Sequence, residues 1–140
     1  MKRLVFLDFD GVLHPNFSTA EEHFVKAERL LAALDGFESE VAIVVSSSWR
    51  FQYEWRELLG VMPKAIGALA AGATPEVEPV RHQRYREIRA YLARRPMADW
   101  RAIDDDLLGF PGDCSNLIAC DGRVGFDDDA AALLRAWLER

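Results

Sequence analysis

The sequence has few of the features that would identify its class at once. Its two cysteines, Cys114 and Cys120, match no zinc-binding spacing, so both are expected to be free thiols with no disulfide partner. No uninterrupted apolar run is long enough to cross a bilayer. An acidic residue at position 8 comes too early for a signal peptide. These absences predict a cytoplasmic protein with no membrane partner.

Basic residues are also in the minority. The chain has 17 Lys and Arg against 23 Asp and Glu, which gives a net charge of -6. This balance argues against broad nonspecific adhesion to nucleic acid or anionic membranes, although it is compatible with a local basic pocket. The 50% hydrophobic content excludes disorder as the main state. Because 140 residues is near the commonest domain size, we expect residues 1–140 to form a single domain.

Apolar runs alternate with helical patterns along the chain. Continuous apolar runs predict buried strands, and residues recurring at helical spacing predict helices. The predicted strands are 3–9, 41–45, 100–103 and 116–120. The predicted helices are about 19–34, 51–60, 82–94, and one that begins at Asp127 or Asp128. Alternating strands and helices predict an α/β fold with a central, mostly parallel sheet of about five strands flanked by helices.

Two segments of the middle of the chain have weaker patterns. Residues 64–67 are compatible with a short strand. Residues 68–79 are rich in Ala and Gly, contain two prolines and lack a clear period, so they predict a loop.

Polar side chains follow three of the predicted strands. Asp8 and Asp10 lie two apart, and so on one face, at the end of the first strand. Ser46 ends the second strand, and Asp104 and Asp105 end the third. Because parallel strands end at the same edge of a sheet, these groups are expected to converge. Carboxylates attract Mg²⁺ together with phosphate oxygens, which serine hydroxyls also bind, so the pattern predicts phosphoryl transfer.

The same residues resemble motifs of the haloacid dehalogenase (HAD) superfamily of phosphatases. Asp8-Phe9-Asp10-Gly11-Val12 resembles the first motif, Ser46 the second, and Ile103-Asp104-Asp105 the acidic fourth. The longer stretches Leu-Asp-Phe-Asp-Gly-Val-Leu, Val-Ser-Ser-Ser-Trp-Arg and Ile-Asp-Asp-Asp resemble the small HAD domains associated with RNA-repair proteins. Three motifs in order, over roughly residues 3–125, are a specific signal. The resemblance implies a three-layer, Rossmann-like domain.

The resemblance also implies a role for each motif residue. Asp8 would be the nucleophile that forms an aspartyl-phosphate. Asp10 would protonate the leaving oxygen and then activate water. Ser46, with Ser47 beside it, would bind the phosphoryl group. The implied Mg²⁺ ligands are the Asp8 carboxylate, the Asp10 backbone carbonyl and Asp104, with Asp105 as a further ligand or an orienting group.

The third motif departs from the family's pattern. It is usually a lysine near the start of the helix before the fourth-motif strand, and no lysine stands there. Arg84 is the candidate in its place, with Arg81 and Arg86 as close alternatives. An arginine can neutralise Asp8 and phosphate, although its geometry differs from that of lysine.

Three residues beside the motifs carry weaker signals. Arg50 follows the serine motif, where contact with a substrate phosphate and an ion pair with an acid are both compatible with its position. His14 is interpreted as a loop histidine without a role, although it could line the site entrance. Trp49 is expected to pack in or near the core.

Neither interval that holds a cap domain in other HAD enzymes is long enough to hold one here. The chain therefore resembles the capless group, whose open sites suit bulky substrates. We expect a Mg²⁺-dependent phosphomonoester hydrolase acting on a nucleotide, a polynucleotide end or another bulky phosphomonoester. The alternative is a catalytically weak HAD-like module that binds a phosphorylated partner without turnover. A two-component receiver domain ranks lower, because its acidic residues follow a different order.

Overall fold

The computed structural model describes residues 1–140, and five short strands form its single sheet. The strands are β1 (Arg3–Leu7), β2 (Val41–Val45), β3 (Ala70–Ala73), β4 (Trp100–Asp104) and β5 (Leu117–Ala119). They pair in parallel in the order β3-β2-β1-β4-β5, with β1 at the centre. The predicted α/β class and the mostly parallel five-stranded sheet are confirmed.

Helices cover both faces of this sheet. They are α1 (Ala27–Leu34), α2 (Trp55–Val61), α3 (Lys64–Gly67), α4 (Gln83–Leu92) and α5 (Asp128–Leu138). Side chains of β1 alternate between the faces, so Val5 and Leu7 enter a core of 23 buried residues with α1, α2, α3 and α5. Leu4 and Phe6 enter a smaller core of nine buried residues, to which α4 is the one helix that contributes. The chain therefore has the three layers that its pattern predicts, and it has no cap domain.

The segment from 64 to 79 differs from its predicted structure. Residues 64–67 form a helical turn, not a strand, and Ile66 of that turn is fully buried. The predicted loop contains β3, which pairs with β2 at the sheet edge. Alanine and glycine have little strand propensity, so the pairing with β2 determines this strand and the local sequence does not.

Two predicted helices are shorter than expected. In the first, a 3-10 turn at Ala20–Glu22 precedes α1, and Phe24 between them has a left-handed backbone with φ 66°. A left-handed residue cannot continue a right-handed helix. In the second, a 3-10 turn at Ser48–Phe51 precedes α2, which begins at Trp55.

Two further observations concern membrane-spanning helices and the cysteines. None of the helices is both long and apolar enough to span a membrane. Cys114 and Cys120 are both free thiols.

Candidate active site

Three carboxylates meet where β1 and β4 end. Asp8 follows β1, Asp104 is the last residue of β4, and Asp105 comes next. Each of the three residues offers one carboxylate oxygen, and these three oxygens all lie within 4.8 Å of one another. Asp8 and Asp104 are buried, with 5% and 1% of their surface exposed. The sheet therefore brings together the first and fourth motifs, as their positions at parallel strand ends predict.

A single guanidinium group faces these acids. Arg84, in the first turn of α4, places Nε 3.2 Å from Asp104 Oδ2 and Nη2 3.9 Å from Asp8 Oδ1. The two alternatives to Arg84 for the basic motif, Arg81 and Arg86, are exposed and form no ion pair. Among the basic residues near the start of α4, Arg84 is the one that reaches the acids.

Burial and mutual repulsion alter the ionisation of these carboxyl groups. Burial, then the negative charges of Asp104 and Asp105, hold the pKa of Asp8 well above its ordinary value, against the lowering effect of Arg84. Burial likewise raises the pKa of Asp104 to about 6, although Arg84 and the Asp106 N–H lower it. The ionised cluster is costly without further positive charge, because one arginine faces three acids.

Two glycines and an amide surround the carboxylate of Asp105. Asn16 Nδ2 donates to Asp105 Oδ2 at 2.9 Å. A Cβ atom added at Gly11 or at Gly122 would clash with the Asp105 carboxylate. Gly11 also has φ +80°, a left-handed conformation that favours glycine. The absence of side chains at these two positions is therefore what leaves room for Asp105 beside Asp8.

The donor set of this cluster fits Mg²⁺. Carboxylate oxygens are the hard ligands that this ion prefers, and it typically takes one or two of them with phosphate and water. Asp8, Asp104 and Asp105 carry more negative charge than Arg84 neutralises, so a divalent cation would relieve their repulsion. These three residues are the ones that would hold the ion.

Asp10 points to different partners. His14 Nε2 lies 2.7 Å from Asp10 Oδ1, and Trp49 Nε1 donates to Asp10 Oδ2 at 3.1 Å. The Phe24 N–H donates to His14 Nδ1 at 3.2 Å, so a neutral His14 carries its proton on Nε2 and donates it to Asp10. Asp10 is half exposed, whereas His14 is 1% exposed. Both oxygens of Asp10 are thus oriented by neutral donors, and its carboxylate is not part of the three-acid cluster.

Aromatic rings hold these two donors in place. The Trp49 ring lies 5.5 Å from Phe9, 5.4 Å from Phe24 and 5.1 Å from His23, measured between ring centroids. His14 lies 4.6 Å from His23 in the same group. Packed aromatic side chains have few alternative rotamers, so the donors to Asp10 are fixed before any substrate arrives.

The two serines of the second motif have different surroundings. Ser46 Oγ is buried and has no hydrogen-bond partner. Ser47 Oγ instead accepts a hydrogen bond from the Trp49 N–H at 3.2 Å and caps the 3-10 turn. Thr74, after β3, has a second buried hydroxyl without a partner. A buried unpaired hydroxyl is costly, so Ser46 is the serine with an open position for a ligand oxygen.

Arg50 connects structural elements and does not point to open solvent. Its side chain is 3% exposed, and Nη1 donates to the carbonyls of Ser46 and Ser47 at 2.8 and 2.9 Å. Nε donates to the Thr74 carbonyl at 2.9 Å. Nη2 lies 2.9 Å from Glu87 Oε1 in an ion pair. Arg50 therefore ties the ends of β2 and β3 to α4, and its partner is a buried acid.

Sequence reasoning missed three residues around the site. The sequence favours a loop histidine without a role at His14 and a loop at Thr74, and it does not single out Glu87. The spacing of His14 four residues after Asp10 was an available signal for a pair. Thr74 and Glu87 gave no local signal, because β3 and the ion pair with Arg50 bring them to the site.

Comparison with known proteins agrees with this geometry. The family of the HAD domain in Swiss Army Knife RNA repair proteins matches residues 4–131, which is most of the chain. Neither the curated proteins nor the solved structures include a significant match. The matched residues include both strand ends that carry the acids and the helix that carries Arg84. The chain therefore belongs to the HAD superfamily and is a domain of the RNA-repair type.

Proposed function

We propose that the protein is a Mg²⁺-dependent phosphomonoester hydrolase that works through an aspartyl-phosphate at Asp8. The observation that carries the proposal is the separation of the two first-motif acids. Asp8 lies among acids and Arg84, whereas Asp10, two residues later, is oriented by His14 and Trp49. Two carboxyl groups with different surroundings suit two different chemical roles.

In the first half of the reaction, an Asp8 oxygen attacks the phosphorus and the ester P–O bond breaks. Asp10 donates its proton to the leaving oxygen, and the product is the aspartyl-phosphate. Ser46 Oγ, which has no partner, and the Arg84 guanidinium bind phosphoryl oxygens. In the second half, water attacks the phosphorus, Asp10 accepts the water proton, and inorganic phosphate leaves Asp8 restored. When bound, Mg²⁺ supplies positive charge next to the phosphate oxygens.

Nucleotides and nucleic-acid ends are the substrates that we propose for this site. The family takes its description from RNA repair proteins. The chain has no cap domain over the strand ends, which leaves room for a bulky leaving group. Small phosphomonoesters should also react, because the groups that perform the chemistry contact the phosphate and its ester oxygen and not the rest of the leaving group.

The test is phosphate release by the purified protein with Mg²⁺, from p-nitrophenyl phosphate and from oligonucleotides phosphorylated at either end. We expect release by the parent and a loss of at least about 1,000-fold in kcat/KM for Asp8→Asn. Asp113→Asn, the same chemical change at an exposed loop position, is the matched control and should retain activity.

Two results would contradict the proposal. One is a parent that releases no phosphate from any of these substrates. The other is an Asp8→Asn variant as active as Asp113→Asn. Binding of a phosphorylated oligonucleotide without hydrolysis would identify the chain instead as a module that binds phosphorylated partners without turnover.

A further inference from the structure

The basic residues of the chain are unevenly distributed. Residues 81–95 contain six of its 17 basic residues, and one of those six is Arg84 of the active site. The one acid in this segment is Glu87, which is buried and paired with Arg50. A segment of strong positive charge therefore adjoins the site of a protein whose net charge is -6. The other five arginines, which we call the arginine face, are Arg81, Arg86, Arg89, Arg94 and Arg95.

The arginine face lacks the ion pairs that other arginines have. All five of its members are exposed, and none lies within 4.0 Å of a carboxylate oxygen. Elsewhere, the exposed residues Arg29 and Arg123 and the half-buried Arg135 each pair with an acid. Arg56 and Arg140 are the other exposed arginines without such a partner. Five uncompensated positive charges within one 15-residue segment favour an anionic partner.

Two adjoining clefts connect the site to Arg81 of the arginine face. A cleft of about 240 Å³ is lined by Arg84, Ser48 and Phe51, and it includes Gln83 and Asp106. Gln83 and Asp106 also line a larger cleft of about 590 Å³. The larger cleft therefore adjoins the smaller one, which Arg84 lines, at these two shared residues.

The larger cleft presents both charge and apolar surface. Arg81 and His82 line one side. Leu107 and Leu108 line the other, with 58% and 89% of their surface exposed. Exposed leucines beside arginines match a ligand that has anionic groups and flat apolar faces. Bases have such faces when they are unstacked, as in a single strand.

We propose that the arginine face and the larger cleft form the docking surface for a single-stranded polynucleotide whose terminal phosphate enters the active site. The inference rests on the proposed function and adds the path that the polynucleotide follows beyond its terminal phosphate. The terminal base contacts Leu107 and Leu108, and the following backbone phosphates contact Arg86 and Arg89, which lie on one side of α4 at i and i+3. A phosphopeptide has one phosphate, which Arg84 and Ser46 already accommodate, so it would leave the arginine face without a partner.

The test measures binding separately from catalysis. Every protein carries Asp8→Asn to prevent turnover, and the probe is a fluorescent oligonucleotide of about 12 nucleotides with a 5′-phosphate, followed by anisotropy in a salt series. For Arg86→Gln with Arg89→Gln, we expect an affinity at least about tenfold lower and a slope of log affinity against log salt smaller by about 1 to 1.5. The matched control, Arg56→Gln with Arg140→Gln, removes the same charge elsewhere and should change affinity by less than about twofold.

A third variant examines the apolar side of the cleft. Leu108 is almost fully exposed, so Leu108→Asn should not affect folding. It should lower the affinity for the single strand by about threefold to tenfold and leave the salt slope unchanged, because apolar contact with a base involves no counterion release.

Several outcomes would overturn the docking proposal. Equal losses in the two double variants would show a nonspecific charge effect, and no loss in either would show that the arginine face does not contact the strand. A blunt duplex or a phosphopeptide that binds as tightly, with the same dependence on Arg86 and Arg89, would exclude a single-strand surface. Intact single-strand binding in a parent that hydrolyses nothing would overturn the proposed function alone.

Discussion

Asp8 and Asp10 leave the same strand end but have opposite surroundings. On the acidic side of the site, Asp8 meets Asp104, Asp105 and one arginine in a buried cluster. On the aromatic side, Asp10 is half exposed and receives neutral N–H donors. Charged groups therefore surround the Asp8 carboxyl group, whereas neutral hydrogen-bond donors orient the Asp10 carboxyl group.

Because of this difference, the two sides of the site should respond to different kinds of substitution. Repulsion among buried acids makes the acidic side dependent on positive charge, from Arg84 now and from a divalent cation when one binds. The aromatic side depends on ring packing, because the orientation of Asp10 follows from where His14 and Trp49 are held. Charge changes should thus affect one side, and changes of hydrogen-bond donors the other.

Removing Arg84 should have the largest effect, and this effect should arise on the acidic side of the site. Arg84→Ala leaves Asp8 and Asp104 without their cationic neighbour, so we expect kcat/KM to fall about 10²- to 10³-fold. The metal-free protein should lose about 2 kcal/mol of unfolding free energy at pH 7. Arg84→Lys should recover part of both, because it keeps the charge and loses the planar geometry. Phosphate release and urea unfolding measure these changes, and equal behaviour of the two variants would contradict the role of charge.

Removing a donor to Asp10 should have a smaller effect, confined to the aromatic side. His14→Phe and Trp49→Phe keep ring packing and delete one hydrogen bond each, so we expect kcat to fall about 10- to 100-fold with little change in KM. The increase in melting temperature on addition of Mg²⁺ should be unchanged. A rise in KM or a loss of the Mg²⁺ effect would show that the two sides are not independent.

The smallest expected effect is a gain in stability from neutralising Asp8. The pKa of Asp8 and of Asp104 is raised by folding, so the folded state binds protons more tightly than the unfolded state. Stability without metal should therefore fall as the pH rises from about 4 through about 6, where Asp104 ionises. Asp8→Asn should be more stable than the parent at pH 8, and the difference should vanish near pH 4.

Thermal unfolding in buffer with EDTA, over that pH range, measures this gain. Asp113→Asn is again the control, because its carboxyl group is exposed and its loss should not change the pH dependence. A parent that becomes steadily more stable as the pH rises from 4 to 8 would contradict the assignment of raised pKa values to the acidic cluster.

The sequence predicted the parts of the fold that have strong local patterns. The strands before Asp8 and Ser46 are mostly apolar runs, and the parallel pairing of β1 with β2 and with β4, which ends at Asp104, made the convergence of these residues predictable. Their individual roles as nucleophile, phosphate ligand and metal ligand remain predictions. β3 was missed because Ala70–Ala73 has no strand pattern of its own and depends on β2.

Contacts that depend on tertiary packing were not predictable in the same way. Both the burial of His14 and the left-handed Phe24 that donates to it arise from the packing of the first loop against Trp49. The pairing of Arg50 with Glu87 joins residues from different elements. Arg84 was identifiable only as one of three candidate arginines, because helix periodicity does not show which side chain reaches the strand ends.

The strand order also has a consequence for synthesis of the protein on the ribosome. β1 is made first, yet its second neighbour is β4, in which Trp100 pairs with Leu4. A nascent chain that ends before Trp100 leaves one apolar edge of β1 unpaired, and such edges promote aggregation. When β4 docks, the Asp8 N–H donates to the Ile103 carbonyl, and Asp104 arrives next to Asp8. The step that ends the nascent chain's exposure to aggregation is therefore the step that brings the buried acids together.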